Sequence, residues 1–412
     1  MKTKLLFFFA GLIFISPAYA ATCKTPASVQ EVLDCALVNH PDVKFSEAGI
    51  SQGYEFEKVA RQRPNLEMNS QGMTGGSGSN AYQYTEINLA HTIEFGDKRD
   101  QRIKKAKANL KIRETENLNA REKVYVETLL SLYRLRQIKN ELEVVDDALM
   151  SFSKLQKQYR SHPILNPDQK ASLQIFKFAE NDYRMKRVPL EAQYNVYLKE
   201  IEFALGEKFT PTNSNLPAFK KTWPSLKDVK IDEISGGSRV QNAEAELKSA
   251  QAELRISQSQ AYPDVKIGPS YGKQKFGNQS SDFYGLNLAM PLPIYHRNEG
   301  GVSVSRREIN RADIALQATR KENSNLISIF KDKYENTIEA LKNSSPVSDI
   351  IKKHFEIEAM FNRGLVSGTL IIETHRQMFD LTQTQNELEL SAVEALAKFY
   401  ILQGRFMELH DK

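Results

Sequence analysis

Alternation with a period of two sets in at Asn65, where Leu66 and Met68 alternate with Glu67 and Asn69, as in a strand with one apolar face. Gly75-Gly76-Ser77-Gly78-Ser79-Asn80 reads as a loop because glycine and short polar residues favour turns. A second alternating run follows, with Thr85, Ile87, Leu89, His91 and Ile93 on one face and Glu86, Asn88, Ala90 and Thr92 on the other. The pattern then returns. Pro64, Leu66 and Met68 are echoed by Pro263, Val265 and Ile267, and Asn88-Leu89-Ala90 by Asn287-Leu288-Ala289, both at an offset of 199 residues. Parity survives the repeat, so Ile87 matches Leu286 and Leu89 matches Leu288. The second hairpin continues through Tyr271, a loop around Gly277-Asn278-Gln279-Ser280, and Tyr284 to Met290. The reading predicts strands near 65–73, 82–93, 264–273 and 283–292.

Between the hairpins the period lengthens to that of helices. Ser28 and Glu31 form a capping box ahead of Cys35, Ala36 and Leu37, which opens a helix. Pro41 suits the first turn of a second helix reaching about Arg63. From Gly96 to Pro163 there is neither glycine nor proline, and a helix filling that span would be ~95 Å long at 1.5 Å per residue. Its apolar positions step by threes and fours through Ile138, Leu142, Val145, Leu149, Phe152, Leu155 and Tyr159, a coiled-coil seam. Another helix is expected from about Asp168 to Leu205, kinked at Pro189. The second copy repeats the design from Val302 to about Arg363, interrupted at Pro346, and from Gly368 to about Gln403. Residues 207–238, with Pro211, Pro217, Pro224 and Gly236-Gly237, form an irregular connector. The organisation is therefore a leader over 1–20, one repeat over 21–206, the connector over 207–238 and a second repeat over 239–412, in a mainly α chain with some β.

The leader follows from Lys2 and Lys4, an apolar run from Leu5 of about a dozen residues, and Ala18-Tyr19-Ala20, the three parts of a secretory signal cleaved after Ala20. The run is shorter than the ~20 residues of a spanning helix. Thr22 before Cys23 argues against a lipoprotein signal. Losing Lys2 and Lys4 takes the formal charge from +5 to +3, a near balance that predicts no nucleic-acid partner. The two cysteines, Cys23 and Cys35, are read as a disulfide in an oxidising compartment, against the alternative of two unrelated thiols. Neither His40 nor any other group completes a metal site with them. No later segment is long and apolar enough to span as a helix, which leaves a soluble protein or one that spans as strands. Strands of about ten residues, apolar on one face and polar or small on the other, fit a lipid-facing barrel wall around a wet lumen; a half-buried soluble hairpin shows the same alternation.

Over its mature length the chain resembles the TolC-like outer-membrane efflux proteins. The likeness rests on Ala36-Leu37-Val38-Asn39-His40-Pro41 and, more loosely, on the turn Arg363-Gly364-Leu365-Val366-Ser367-Gly368. The hairpin exits, Glu94-Phe95-Gly96-Asp97-Lys98-Arg99 and Pro291-Leu292-Pro293 through Arg297-Asn298-Glu299-Gly300, are similar to those of the CzcC-type, heavy-metal branch, with Asp97 where that branch has a second glycine. The resemblance implies a homotrimer: an outer-membrane β-barrel with four strands per chain, continued by a long periplasmic α-helical coiled-coil barrel. Physics points the same way, because four strands cannot close a barrel and an open edge in lipid strands backbone groups, whereas three chains supply twelve. It further implies a conduit for heavy-metal cations, fed by a periplasmic adaptor (membrane fusion protein) and a proton-driven inner-membrane pump of the RND type.

Ile87, Leu89, Leu286 and Leu288 are expected to face outer-membrane lipid. The turns Tyr159, Arg160, Leu165, Asn166 and Arg363, Gly364, Leu365, Val366, Ser367, Gly368 are expected to dock the adaptor, with Glu373 a candidate for a ring that closes the tube. No nucleophile elbow, P-loop or H-E-x-x-H is present, so no enzyme and no cofactor is expected. His354 and Glu358, four apart on a helix, read as a surface pair, and the seven histidines are scattered. The alternatives are a drug or peptide conduit of the same fold and a soluble periplasmic adaptor or coiled-coil scaffold.

Overall fold

The computed structural model describes residues 23, 25–78, 81–220, 222–226, 236–344 and 347–411. The expected leader, and positions 221 and 227–235 of the connector, lie outside them. Among the described residues, eight α-helices and four strands follow in the order α1 (Val29–Asn39), α2 (Pro41–Arg61), β1 (Glu67–Gly75), β2 (Tyr82–Ile93), α3 (Lys98–Arg160), α4 (Pro167–Leu205), α5 (Ser238–Ser259), β3 (Val265–Phe276), β4 (Gln279–Ala289), α6 (Glu299–Asn343), α7 (Val347–Asn362) and α8 (Gly368–Leu402), with a short 3-10 helix at Phe406–Asp411. No helix among the described residues is long and apolar enough to cross a membrane. The chain packs as two compact units, each drawing stretches from both repeats.

One unit comprises the residues up to His40, 127–222 and 341–390. Ser28 caps α1, its Oγ accepting from the Glu31 backbone N–H at 3.2 Å, and Cys23 is joined to Cys35 by a disulfide. The expected seam forms the core. Ile138, Val145, Phe152 and Leu155 of α3 pack against Phe176, Tyr183 and Leu190 of α4, Phe361 of α7, and Ile371 and Phe379 of α8, with Leu142, Leu149 and Tyr159 partly buried around them. α4 runs on through Pro189. A buried polar knot adjoins this core. Arg136 pairs with Glu389, which also accepts from Gln137 Nε2 at 2.9 Å and from the Lys220 backbone N–H at 3.2 Å.

The other unit comprises 41–126, 223–340 and the residues from Ser391. Its four strands form one antiparallel meander in sequence order, so β2 pairs with β3 although about 170 residues separate them. The second hairpin differs from expectation. β3 and β4 run on through the pairs Gln274–Ser281 and Lys275–Ser280 to a two-residue turn, Gly277-Asn278, because polar side chains do not stop backbone pairing when a glycine supplies the positive φ of the turn, here 53°.

The strand-to-helix corner before α3 explains its odd sequence. Gly96 and Asp97 both have positive φ, 75° and 56°, a region that glycine occupies freely and aspartate tolerates better than most residues. Three members of the basic run that follows are held in ion pairs. Lys98 Nζ lies 2.6 Å from Asp264 Oδ1, Arg102 pairs with Glu94, and Lys105 with Glu253.

Candidate functional site

The sheet sorts its side chains by face. On β2, Thr85, Ile87, Leu89, His91 and Ile93 are exposed, while Tyr84, Glu86, Asn88 and Thr92 are half-buried and Ala90 is buried. The pairings Met68–Leu89, Ile87–Tyr271, Tyr271–Tyr284, Ile267–Leu288 and Pro269–Leu286 carry the exposed face across all four strands. Leu286 is 81% exposed, Leu288 68%, and Ile87 and Leu89 43% each. A contiguous apolar band of this kind is rare on a protein that meets only water. The opposite face carries Asn69, Gln71, Glu86, Asn88, Ser270 and Asn287, with Tyr84 Oη donating to Glu86 Oε2 at 2.7 Å. Within the chain, β1 and β4 are edges.

The two turns of the other unit have different constructions. α3 ends at Arg160 and α4 is opened by Asn166, whose Oδ1 accepts from the Gln169 N–H at 2.7 Å while the Gln169 side chain accepts from the Asn166 N–H at 3.0 Å. Tyr159 packs on Phe176, with ring centroids 5.8 Å apart, and Arg160 donates to Gln156 at 3.4 Å. Leu165 is half-buried, and the exposed apolar residue of this turn is Ile164, at 88%. Ile164, directly after Pro163, lies inside the turn but is not among the residues expected to dock.

At the second turn the Leu365 N–H reaches Met360 O at 3.0 Å and the Gly364 N–H reaches Phe361 O at 2.8 Å, a Schellman cap. Gly364 supplies the φ of 73° that such a cap needs, and space around it is open. Gly368 is buried: a Cβ there would lie 2.5 Å from Phe176 Cζ. Its smallness serves packing between α8 and α4. Val366 likewise turns partly into the core, so Leu365, 69% exposed, carries the outward apolar surface. Arg363 and Ser367 are exposed, and Ser367 Oγ lies 2.7 Å from Thr369 Oγ1. Glu373 is held by Arg376 at 2.7 Å and by Gln377 at 2.8 Å; these bonds, Arg376 first, keep its carboxyl below the usual range.

A third grouping overturns an expectation. His354 is a core residue, 1% exposed, and lies against fully buried His375 of α8, ring centroids 4.2 Å apart. His354 Nε2 is 3.4 Å from Asp147 Oδ2 of α3. One ligand atom from each of Asp147, His354 and His375 falls within 4.8 Å of the others. The surface-pair reading failed because α7 turns His354 inward; Glu358, one turn on, lies 3.5 Å from Ser151 Oγ of α3.

No protein-family model matches the chain, and no curated protein matches it significantly in sequence. Solved structures do match. The CmeC outer membrane channel of Campylobacter jejuni aligns at a TM-score of 0.69 with 12% identity, over 92% of this chain and 86% of that one. The fold is that of the outer-membrane channels. CusC, solved in a study of folding and transmembrane channel formation, gives 0.70 at 13% identity over 94% of each chain. The VceC outer membrane protein of Vibrio cholerae gives 0.69 at 14% identity over 91% and 96%. At these identities the likeness is one of fold.

Proposed function

We propose that this chain is one protomer of a trimeric outer-membrane efflux conduit with a helical periplasmic extension. The observation that carries the reading is the sheet: four short strands, apolar and exposed on one face and polar on the other, with both edges open within the chain. Lipid on the apolar face and neighbouring copies on the edges satisfy both features at once. The fold likeness to outer-membrane channels supports it. Export as the direction of transport, and an adaptor and inner-membrane pump as partners, follow from the family resemblance of the sequence. So does the preference for heavy-metal cations over drugs or peptides as cargo.

The exposed apolar residues Ile164 and Leu365 are the contacts we assign to the adaptor, with Arg363 and Ser367 beside them. Leu365→Glu leaves Gly364 and its cap in place, so it tests docking without unfolding the turn. Loss of the chain should sensitise cells to divalent heavy metals more than to drugs, and the Leu365→Glu, Ile164→Glu double variant should reach the outer membrane as a trimer yet fail to restore resistance. A monomeric, detergent-independent periplasmic protein would overturn the conduit. Full resistance with the double variant would overturn the docking surface alone.

A further inference from the structure

The core of the helical unit holds chemistry that a passive conduit does not need. Asp147, His354 and His375 come from three different helices, α3, α7 and α8. No protein group in hydrogen-bond geometry answers either ring nitrogen of His354 or of His375. Buried polar atoms of that kind each cost on the order of 1–3 kcal/mol, and even with His354 Nε2 turned toward Asp147 the other three ring nitrogens of this core cluster are left for a ligand. Phe152 packs against one side of the cluster, its ring centroid 5.1 Å from that of His375. Asp147, with its side chain 35% exposed, keeps the cluster in reach of solvent.

We propose that Asp147, His354 and His375 form a binding site for a borderline divalent cation, zinc(II), which ties α7 and α8 to α3. Two imidazoles and one carboxylate make a three-ligand zinc set that leaves a fourth position for water. Ligand atoms around tetrahedral zinc stand about 3.3 Å apart given its ~2.0–2.1 Å bonds. The His354 to Asp147 separation of 3.4 Å already meets that. The widest separation in the set is within 4.8 Å, so the remaining closure is about 1.5 Å, within reach of imidazole rotation. The site is a property of the helical core and does not rest on metal being the cargo.

The test uses the full-length mature protein, untagged, in detergent, stripped with a chelator and titrated with zinc chloride alone. Calorimetry should show one zinc per chain, and cobalt(II) in its place should give the visible absorption of a low-symmetry site. Affinity should fall at least about 10–100-fold in His354→Gln and in His375→Gln, since even the outer groups around a metal are worth that much. Exposed His296 changed to glutamine should leave the isotherm unaltered. Helical circular dichroism and trimer mobility report whether each variant is folded, and Asp147→Asn, on the half-exposed side, supplies a second ligand variant that disturbs the core least. Absence of stoichiometric zinc binding by the folded protein would overturn the site, as would equal affinity in folded ligand variants.

Discussion

Replacing Leu286 by arginine separates a sheet that meets lipid from one that meets water. Leu286 is 81% exposed and stands opposite Pro269 on β3, so its removal forfeits little packing inside the chain. In water such a surface change is worth within about 0.5 kcal/mol. At the midplane of a bilayer an arginine on the lipid face of a barrel costs about 2–4 kcal/mol, and a trimer carries three, for ~6–12 kcal/mol if the copies act independently. The companion Gln71→Arg lies on the other face, where β1 pairs it with Glu86, and should be tolerated. Both variants would be refolded into lipid vesicles and unfolded in urea, with the trimer band followed in parallel. Leu286→Arg should shift the midpoint strongly or prevent insertion, while Gln71→Arg stays near wild type. Equal behaviour of the two would refute the assignment of faces, and with it the lipid contact of Ile87, Leu89 and Leu288.

Two further predictions concern buried charge. Glu389→Ala removes the acceptor of Arg136, Gln137 and the Lys220 N–H and should cost about 3–5 kcal/mol, the range for orphaning a buried charge; a thermal melt with an unmoved midpoint would contradict it. Glu122 is 4% exposed, with Oε1 lacking a hydrogen-bond partner and Oε2 accepting from Ser238. Burial pushes it from 4.5 up to about 7 against that hydrogen bond. With the folded value above the unfolded one, its contribution is fully present below about pH 4.5 and lost as the pH rises through 7, by roughly 3 kcal/mol. Glu122→Gln should therefore flatten stability between pH 5 and 8 and raise it at the alkaline end; parallel pH profiles for the two proteins would count against that ionisation.

What the sequence determined by itself are the features written in local periodicity. The capping box at Ser28, the seam from Ile138 to Tyr159 and the faces of all four strands are readable because helix and strand periods place neighbours in space at fixed spacings. The left-handed corner at Gly96 also left its mark, in the paired small residue Asp97. Turn length was less legible: Gln274 and Lys275 lie beyond the expected strand, and Gln279 and Ser280 in the expected loop, yet all four pair as strand, since the ladder is made by the backbone. Only tertiary structure decided which way residues with two plausible orientations point. Gly368 is small for Phe176, and Val366 yields the outward position to Leu365. Asp147, His354 and His375 stand hundreds of positions apart at their extremes, on helices whose own patterns are unremarkable. Nothing in any one segment says that three helices will turn those side chains to one point, because that depends on how the seam of α3 meets α7 and α8 in the core.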